Sequence, residues 1–275
     1  MILDEKGYKE ITLSDEELGQ FYIEMRPPIE IFENQYLVIK DKNGIVIDKY
    51  KFQNNELKKV NFQIINSTYM GKIKPKNFEQ ELALDLLNSR DITVKLIRGC
   101  YGSGKDFLMF GKALELIEAG AFKKIVYIRP NVTLKDVPDI GYLRGNEFDK
   151  LSWTLGPLYD KVGGKEGIDC LVEQEKLELM PLLFIRGRSF ENSIVYVTEG
   201  QNITNEIAKL LLGRIGQDSI LMINADNHQT DSRIYERDNG IIQMIEKLSG
   251  NPLFGYVYLS QTLRSDTANL ANLLD

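Results

Sequence analysis

Apolar positions change their period along this chain. The first 70 residues or so carry short apolar runs around turn signals, whereas the rest alternates β-branched runs with stretches whose apolar residues recur at helical spacing. Ser14-Asp15-Glu16-Glu17 is a capping-box pattern that predicts a short helix through Leu18 and Phe21. Tyr36 to Lys40 and Ile45 to Asp48 flank Asp41-Lys42-Asn43-Gly44, a hairpin signal, and Val60 to Ile65 is expected to add a third strand. Lys74-Pro75-Lys76-Asn77 marks a boundary. The reading is a small β-rich region with one short helix over residues 1–72, and a second domain over residues 73–275.

In the second domain, strands are expected at Thr93 to Arg98, Lys124 to Ile128, Ile194 to Val197, Ile220 to Ile223 and Tyr256 to Leu259. Helical patterns separate them: Phe78 to Leu87, Asp106 to a stop at Gly120, a segment capped by Asn202 or Thr204 through Leu211, Ile241 to Leu248, and a closing helix from Asp266 to Leu274. Strands alternating with helices predict an α/β fold with a parallel, helix-covered sheet. The long stretch from Asp136 through Lys161 exceeds a minimal connection and is expected to be functional.

Composition narrows the class. A length of 275 residues suffices for a proper core, and no apolar run approaches the roughly 18 residues of a membrane span. With no signal-peptide pattern at the N-terminus and only Cys100 and Cys170, an intracellular, cytoplasmic protein is expected. A formal charge of −6 argues against indiscriminate attraction to nucleic acid while leaving room for a local basic channel.

The chemistry gathers around Gly99-Cys100-Tyr101-Gly102-Ser103-Gly104-Lys105-Asp106, which lies between a strand pattern and a helix pattern. Such a turn points backbone N–H groups at phosphate oxygens, adds the positive end of a helix dipole, and supplies a lysine, here Lys105, to the terminal phosphates. These residues and Phe107 are the expected nucleotide cradle, with a structural turn as the plainer alternative. The match to G-x-x-x-x-G-K-[ST] fails at Asp106, where a Mg²⁺-binding hydroxyl is expected. The reverse change occurs after the third strand, where Thr198-Glu199 replaces Asp-Glu. One carboxylate and one hydroxyl remain, so Asp106 and Thr198 are read as exchanged Mg²⁺ ligands; a nucleotide-binding protein that has lost hydrolysis is the competing reading. Glu199 is then the candidate base for the attacking water, and Asp226 and Gln229 are candidate sensors of the γ-phosphate. His228, the lone histidine, is read as a loop residue. Of Arg129, Arg186, Arg188, Arg214 and Arg264, the two expected to neutralise transition-state charge are Arg214 and Arg264.

The motif order resembles that of the PhoH-like family of P-loop ATPases, whose RecA-like core is similar to the first motor domain of superfamily-one helicases. The resemblance spans roughly residues 75 to 270. It rests on Gly99 to Lys105, Ile128-Arg129-Pro130, Gly141-Tyr142-Leu143, Pro157-Leu158-Tyr159-Asp160, Pro181 to Arg188, Glu199 to Thr204 and Arg214-Ile215-Gly216. It implies ATP binding and hydrolysis with Mg²⁺, a partner that is RNA or single-stranded nucleic acid, and an adenine-reading role for Gln80. Some relatives carry an N-terminal nuclease domain; here no acidic cluster suited to two metals precedes the boundary, and Glu33 to Asp41 rather resembles the β-rich segment that links that nuclease to the ATPase. Because one core lacks the second wall of a motor cleft, self-association into a ring, a hexamer, is expected, with Arg214 or Arg264 reaching a neighbour. A nucleotide-gated scaffold is the alternative, and a small-molecule kinase a weaker one.

Overall fold

A computed structural model describes residues 6–130, 156–226 and 233–263. Three residues singled out above lie outside the described residues: Gln229, His228 and Arg264. So do the Gly141-Tyr142-Leu143 motif and the expected closing helix.

The N-terminal region is a four-stranded sheet, β1 (Tyr8–Thr12), β2 (Tyr36–Lys40), β3 (Val46–Gln53) and β4 (Glu56–Lys59), paired in that order. Between β1 and β2 runs α1 (Asp15–Glu24), started by Ser14, whose hydroxyl and backbone exchange hydrogen bonds with Glu17 as the capping box requires. The third strand arrives earlier than expected. Asn54 and Asn55 both take the left-handed conformation, with φ of 55° and 66°, so the chain reverses at once after β3 and the return strand is β4. Val60 to Ile64 form no strand, and β5 (Ile65–Ser67) pairs instead with β6 (Gly71–Ile73) in a separate ladder.

The second sheet has six strands, all paired in parallel, in the order β12-β7-β11-β10-β8-β9. These are β7 (Val94–Gly99), β8 (Lys124–Ile128), β9 (Leu177–Leu179), β10 (Ser193–Val197), β11 (Ile220–Ala225) and β12 (Phe254–Leu259). Successive residues of a strand face opposite sides, and each side has its own core. Ile97, Tyr127, Tyr196 and Met222 pack against α2 (Phe78–Asn88) and α3 (Lys105–Glu118). Leu96, Val126, Val195 and Leu221 pack against the helices Asn205–Leu212 and Gly240–Leu248. The sheet is therefore helix-covered on both faces, as the alternation predicted. In this domain the sequence reading did not place helix Lys165–Glu173, helix Arg233–Arg237, or β9 as an edge strand of the sheet.

The N-terminal region is not loosely tethered. Tyr8, Tyr36, Val38, Ile65 and Ile73 belong to the same apolar cluster as Leu82, Leu86 and Phe110. The Tyr8 hydroxyl donates to buried Glu79 at 2.7 Å, and Tyr36 donates to Asp85 at 2.9 Å, both on α2.

Candidate functional site

The turn between β7 and α3 needs its glycines. Gly102 and Gly104 sit at φ of 72° and 86°, a left-handed backbone that side chains disfavour. A Cβ on Gly99 would lie 2.7 Å from the Leu259 carbonyl oxygen and 2.7 Å from Ser103 Oγ, so this residue is small because β12 and the turn close on it. Ser103 is fully buried, and its Oγ has no hydrogen-bond partner among the described residues. An unpartnered buried hydroxyl and a helix N-terminus without a side-chain cap are the donors a bound phosphate would satisfy. Tyr101 and Phe107 flank the turn with 43% and 41% of their surface exposed, which leaves two aromatic faces open beside the cradle.

The cleft over this turn has a volume of about 610 Å³ and is lined by Gln80, Lys105, Asp106, Arg129, Lys161, Thr198, Glu199 and Asn224, among others. It opens at the carboxyl ends of β7, β8, β10 and β11, where an α/β sheet presents ligands. Lys105 is folded back here: its ammonium donates to the carbonyls of Gly99 (3.0 Å) and Cys100 (3.2 Å) and pairs with Asp226 at 3.3 Å. The Gln80 amide donates to the Ser103 carbonyl at 2.9 Å and accepts from the Lys76 N–H at 2.9 Å, so in this state both its ends brace the turn.

Asp106 and Thr198 both line the cleft and are joined by a residue that sequence reasoning passed over. The Asn224 amide donates to Asp106 Oδ1 at 2.8 Å, while its own oxygen accepts from the Thr198 hydroxyl at 3.2 Å and from the Glu199 N–H at 3.1 Å. Tyr196, buried and therefore held well above the ordinary tyrosine range, donates its proton to the same Asp106 oxygen. The other oxygen, Oδ2, pairs with the Lys161 ammonium. A carboxylate and a hydroxyl facing one cleft are the hard oxygen donors that Mg²⁺ takes, so the donor chemistry fits that ion.

Glu199 takes the left-handed conformation, φ 55°, directly after β10, an uncommon backbone for a residue that is not glycine, asparagine or aspartate. Its carboxylate accepts from the Gln201 amide at 2.7 Å and lies 3.8 Å from the Arg129 guanidinium. Gln201 in turn accepts from the Asp226 N–H at 2.9 Å, which links the ends of β10 and β11.

The arginines divide by edge. Arg129 is in the cleft. Arg186 makes an exposed pair with Glu206, and Arg188 pairs with Glu178 on β9. Arg214 lies beside Phe190, ahead of the first residue of β10, where its carbonyl accepts from the Phe190 N–H. The five residues of β10 separate that edge from Glu199, roughly 15 Å at strand spacing. Within one protomer the structure does not bring Arg214 to Glu199. The site residues missed from sequence are Tyr196, Asn224, Lys161 and Gln201. Asn224 carried a signal, being polar at the end of an apolar run two residues before Asp226, and Gln201 lay within the Glu199 to Thr204 motif without a role of its own.

Among the described residues no helix is long and apolar enough to cross a membrane. The family model described as PhoH-like protein matches residues 72–271. A Bacillus subtilis protein named Protein PhoH2 is 29% identical over 96% of this chain and 63% of its own length. A second Protein PhoH2, from Thermobispora bispora, is 34% identical over 72% of this chain and 46% of its own. The chain thus spans about half to two-thirds of the length of these relatives. A solved structure, of C. elegans PCH-2, overlaps 72% of this chain and 46% of that one at 17% identity with a TM-score of 0.28, too loose a likeness to bear on function.

Proposed function

Because the chain belongs to the PhoH-like protein family of P-loop ATPases, we propose that it binds and hydrolyses ATP and acts on RNA or single-stranded nucleic acid as a ring-shaped, hexameric motor or remodeller. The observation that carries the reading is the convergence of Gln80 on α2, Lys105 and Asp106 on α3, and Thr198 and Glu199 at the end of β10 onto one cleft.

On nucleotide entry Lys105 releases the carbonyls of Gly99 and Cys100 and turns its ammonium to the terminal phosphates, which frees the Asp226 carboxylate to respond to the γ-phosphate while Gln201 holds the Asp226 backbone N–H. Asp106 and Thr198 would hold the metal, and Mg²⁺, when bound, would supply charge neutralisation on the phosphate oxygens. Glu199, oriented by Gln201 and Asn224, positions water for in-line attack and accepts its proton. Arg214, remote from its own cleft, serves a neighbouring subunit, and this motivates the ring. The test is phosphate release from ATP with and without Mg²⁺ and single-stranded RNA or DNA. Mg²⁺-dependent release that polynucleotide stimulates and Glu199→Gln abolishes is the expected result. Tight ATP binding with release no greater than in Glu199→Gln would make the protein a nucleotide-gated scaffold instead.

A further inference from the structure

A P-loop with Asp106 in place of a hydroxyl has an electrostatic problem. An ordinary cradle offers a triphosphate one lysine and a neutral hydroxyl. Here the carboxylate beside Lys105 cancels that charge, and in the absence of metal it faces the phosphates as a like charge. The structure answers this with Lys161, whose ammonium pairs with Asp106 Oδ2 across the cleft. Lys105, Asp106 and Lys161 together restore one net positive charge, that of the ordinary cradle. The pair is also built to be exclusive. Tyr196 and Asn224 both donate to Oδ1 and fix the carboxylate, so Oδ2 is presented to a single cation, either the lysine or a metal. Lys161 is itself mostly buried, its side chain 16% exposed, on the short segment that follows helix Gly156–Tyr159.

We infer that Lys161 is a resident cation of the nucleotide site: it neutralises Asp106 in the metal-free protein, so that ATP binds without a divalent ion, and it yields Oδ2 when Mg²⁺ enters. This rests on the ATP-binding reading above and adds a residue to it. The inference concerns binding, so it is read without turnover.

The experiment is titration of the full chain with a fluorescent ATP analogue, in excess EDTA and in excess Mg²⁺, for the unmodified protein, Lys161→Met and Lys161→Arg. Lys161→Met keeps the aliphatic stem and removes the charge; Lys161→Arg keeps the charge. The unmodified protein and Lys161→Arg should bind with similar affinity in both media. Lys161→Met should lose about tenfold or more in EDTA, where Asp106 then lacks any counter-ion, and recover in Mg²⁺, which supplies one. Equal metal dependence in all three proteins would overturn the role of Lys161 and leave ATP binding intact. A loss in Lys161→Met of the same size in both media would mark a merely structural or phosphate-contacting lysine and overturn it too. No binding by the unmodified protein in either medium would overturn the nucleotide reading itself, and this inference with it.

Discussion

Lys95 shows how far a single side chain departs from its ordinary chemistry in this core. It is 3% exposed on β7, with its nitrogen donating to the carbonyls of Leu87 (2.9 Å) and Ser89 (2.6 Å) at the end of α2. Burial, then repulsion from Lys112 and Lys51, lowers its pKa from 10.5 to about 7 against the opposing pull of Asp85 and Asp91. Between those two values an unfolded-state Lys95 binds its proton and the folded one does not, so the Lys95 contribution to stability rises with pH across that window and levels off above it. Denaturant unfolding should show a gain of roughly 1 kcal/mol per pH unit from neutrality upward, and Lys95→Met should flatten that slope. A second expectation concerns the metal ligands. The Asn224 amide can turn over, so it can serve a hydroxyl at 106 and a carboxylate at 198 as readily as the present pair. The double variant Asp106→Thr with Thr198→Asp should therefore keep more Mg²⁺-dependent phosphate release than either single change. A double variant no better than the worse single one would remove the case for exchanged ligands. Lys105, Asp106, Thr198 and Glu199 were legible because a phosphate-loop pattern and a strand end fix their places in one dimension. Tyr196 and Lys161 were not: the first reads as core within an apolar strand, and the second meets Asp106 only through the tertiary fold.

The turn between β7 and α3 works because β12 lies against it. The Cys100 N–H donates to the Leu259 carbonyl at 3.1 Å, the oxygen that a Cβ on Gly99 would meet. Gly99→Ala should push the turn off β12, cost about 1–3 kcal/mol in unfolding free energy, and weaken binding of the fluorescent ATP analogue. Unchanged stability and affinity would show that the turn has slack the structure does not reveal. Elements of this kind were readable in the sequence where period and punctuation agree. The strands β7, β8, β10, β11 and β12 are apolar runs bounded by polar turns, and Ser14, Asn77 and Thr204 cap the helices that follow them. Reading failed where pairing decides. The β1 sequence Tyr-Lys-Glu-Ile-Thr is half polar, and it is a strand because β2 lies parallel to it. The start of β4 was set by two asparagines turning at once, a conformation to which residue type alone gives only a bias.

At the scale of the whole molecule, charge and geometry separate what one protomer does from what it needs a neighbour to do. The cleft brings together Lys105, Glu199 and Arg129, whereas Arg214 sits at the opposite edge of the same sheet. If Arg214 acts on a neighbour's ATP, one subunit gives the arginine and the next the glutamate, and a head-to-tail contact of this kind makes a ring when the rotation between subunits closes. Two variants that are each inactive then complement one another. Glu199→Gln lacks the base and keeps the arginine; Arg214→Ala has the reverse defect. In an equal mixture, roughly a quarter of interfaces pair an intact Glu199 with an intact Arg214, so phosphate release should return toward that fraction of the unmodified rate. Both variants should still bind the ATP analogue alone, since Arg214 is absent from the residues around the cleft. A mixture that stays inactive while sedimentation shows mixed rings would exclude Arg214 as the trans residue. A protein that sediments only as a monomer with ATP and Mg²⁺ would exclude the ring, leaving the cleft to act on nucleotide within a single chain.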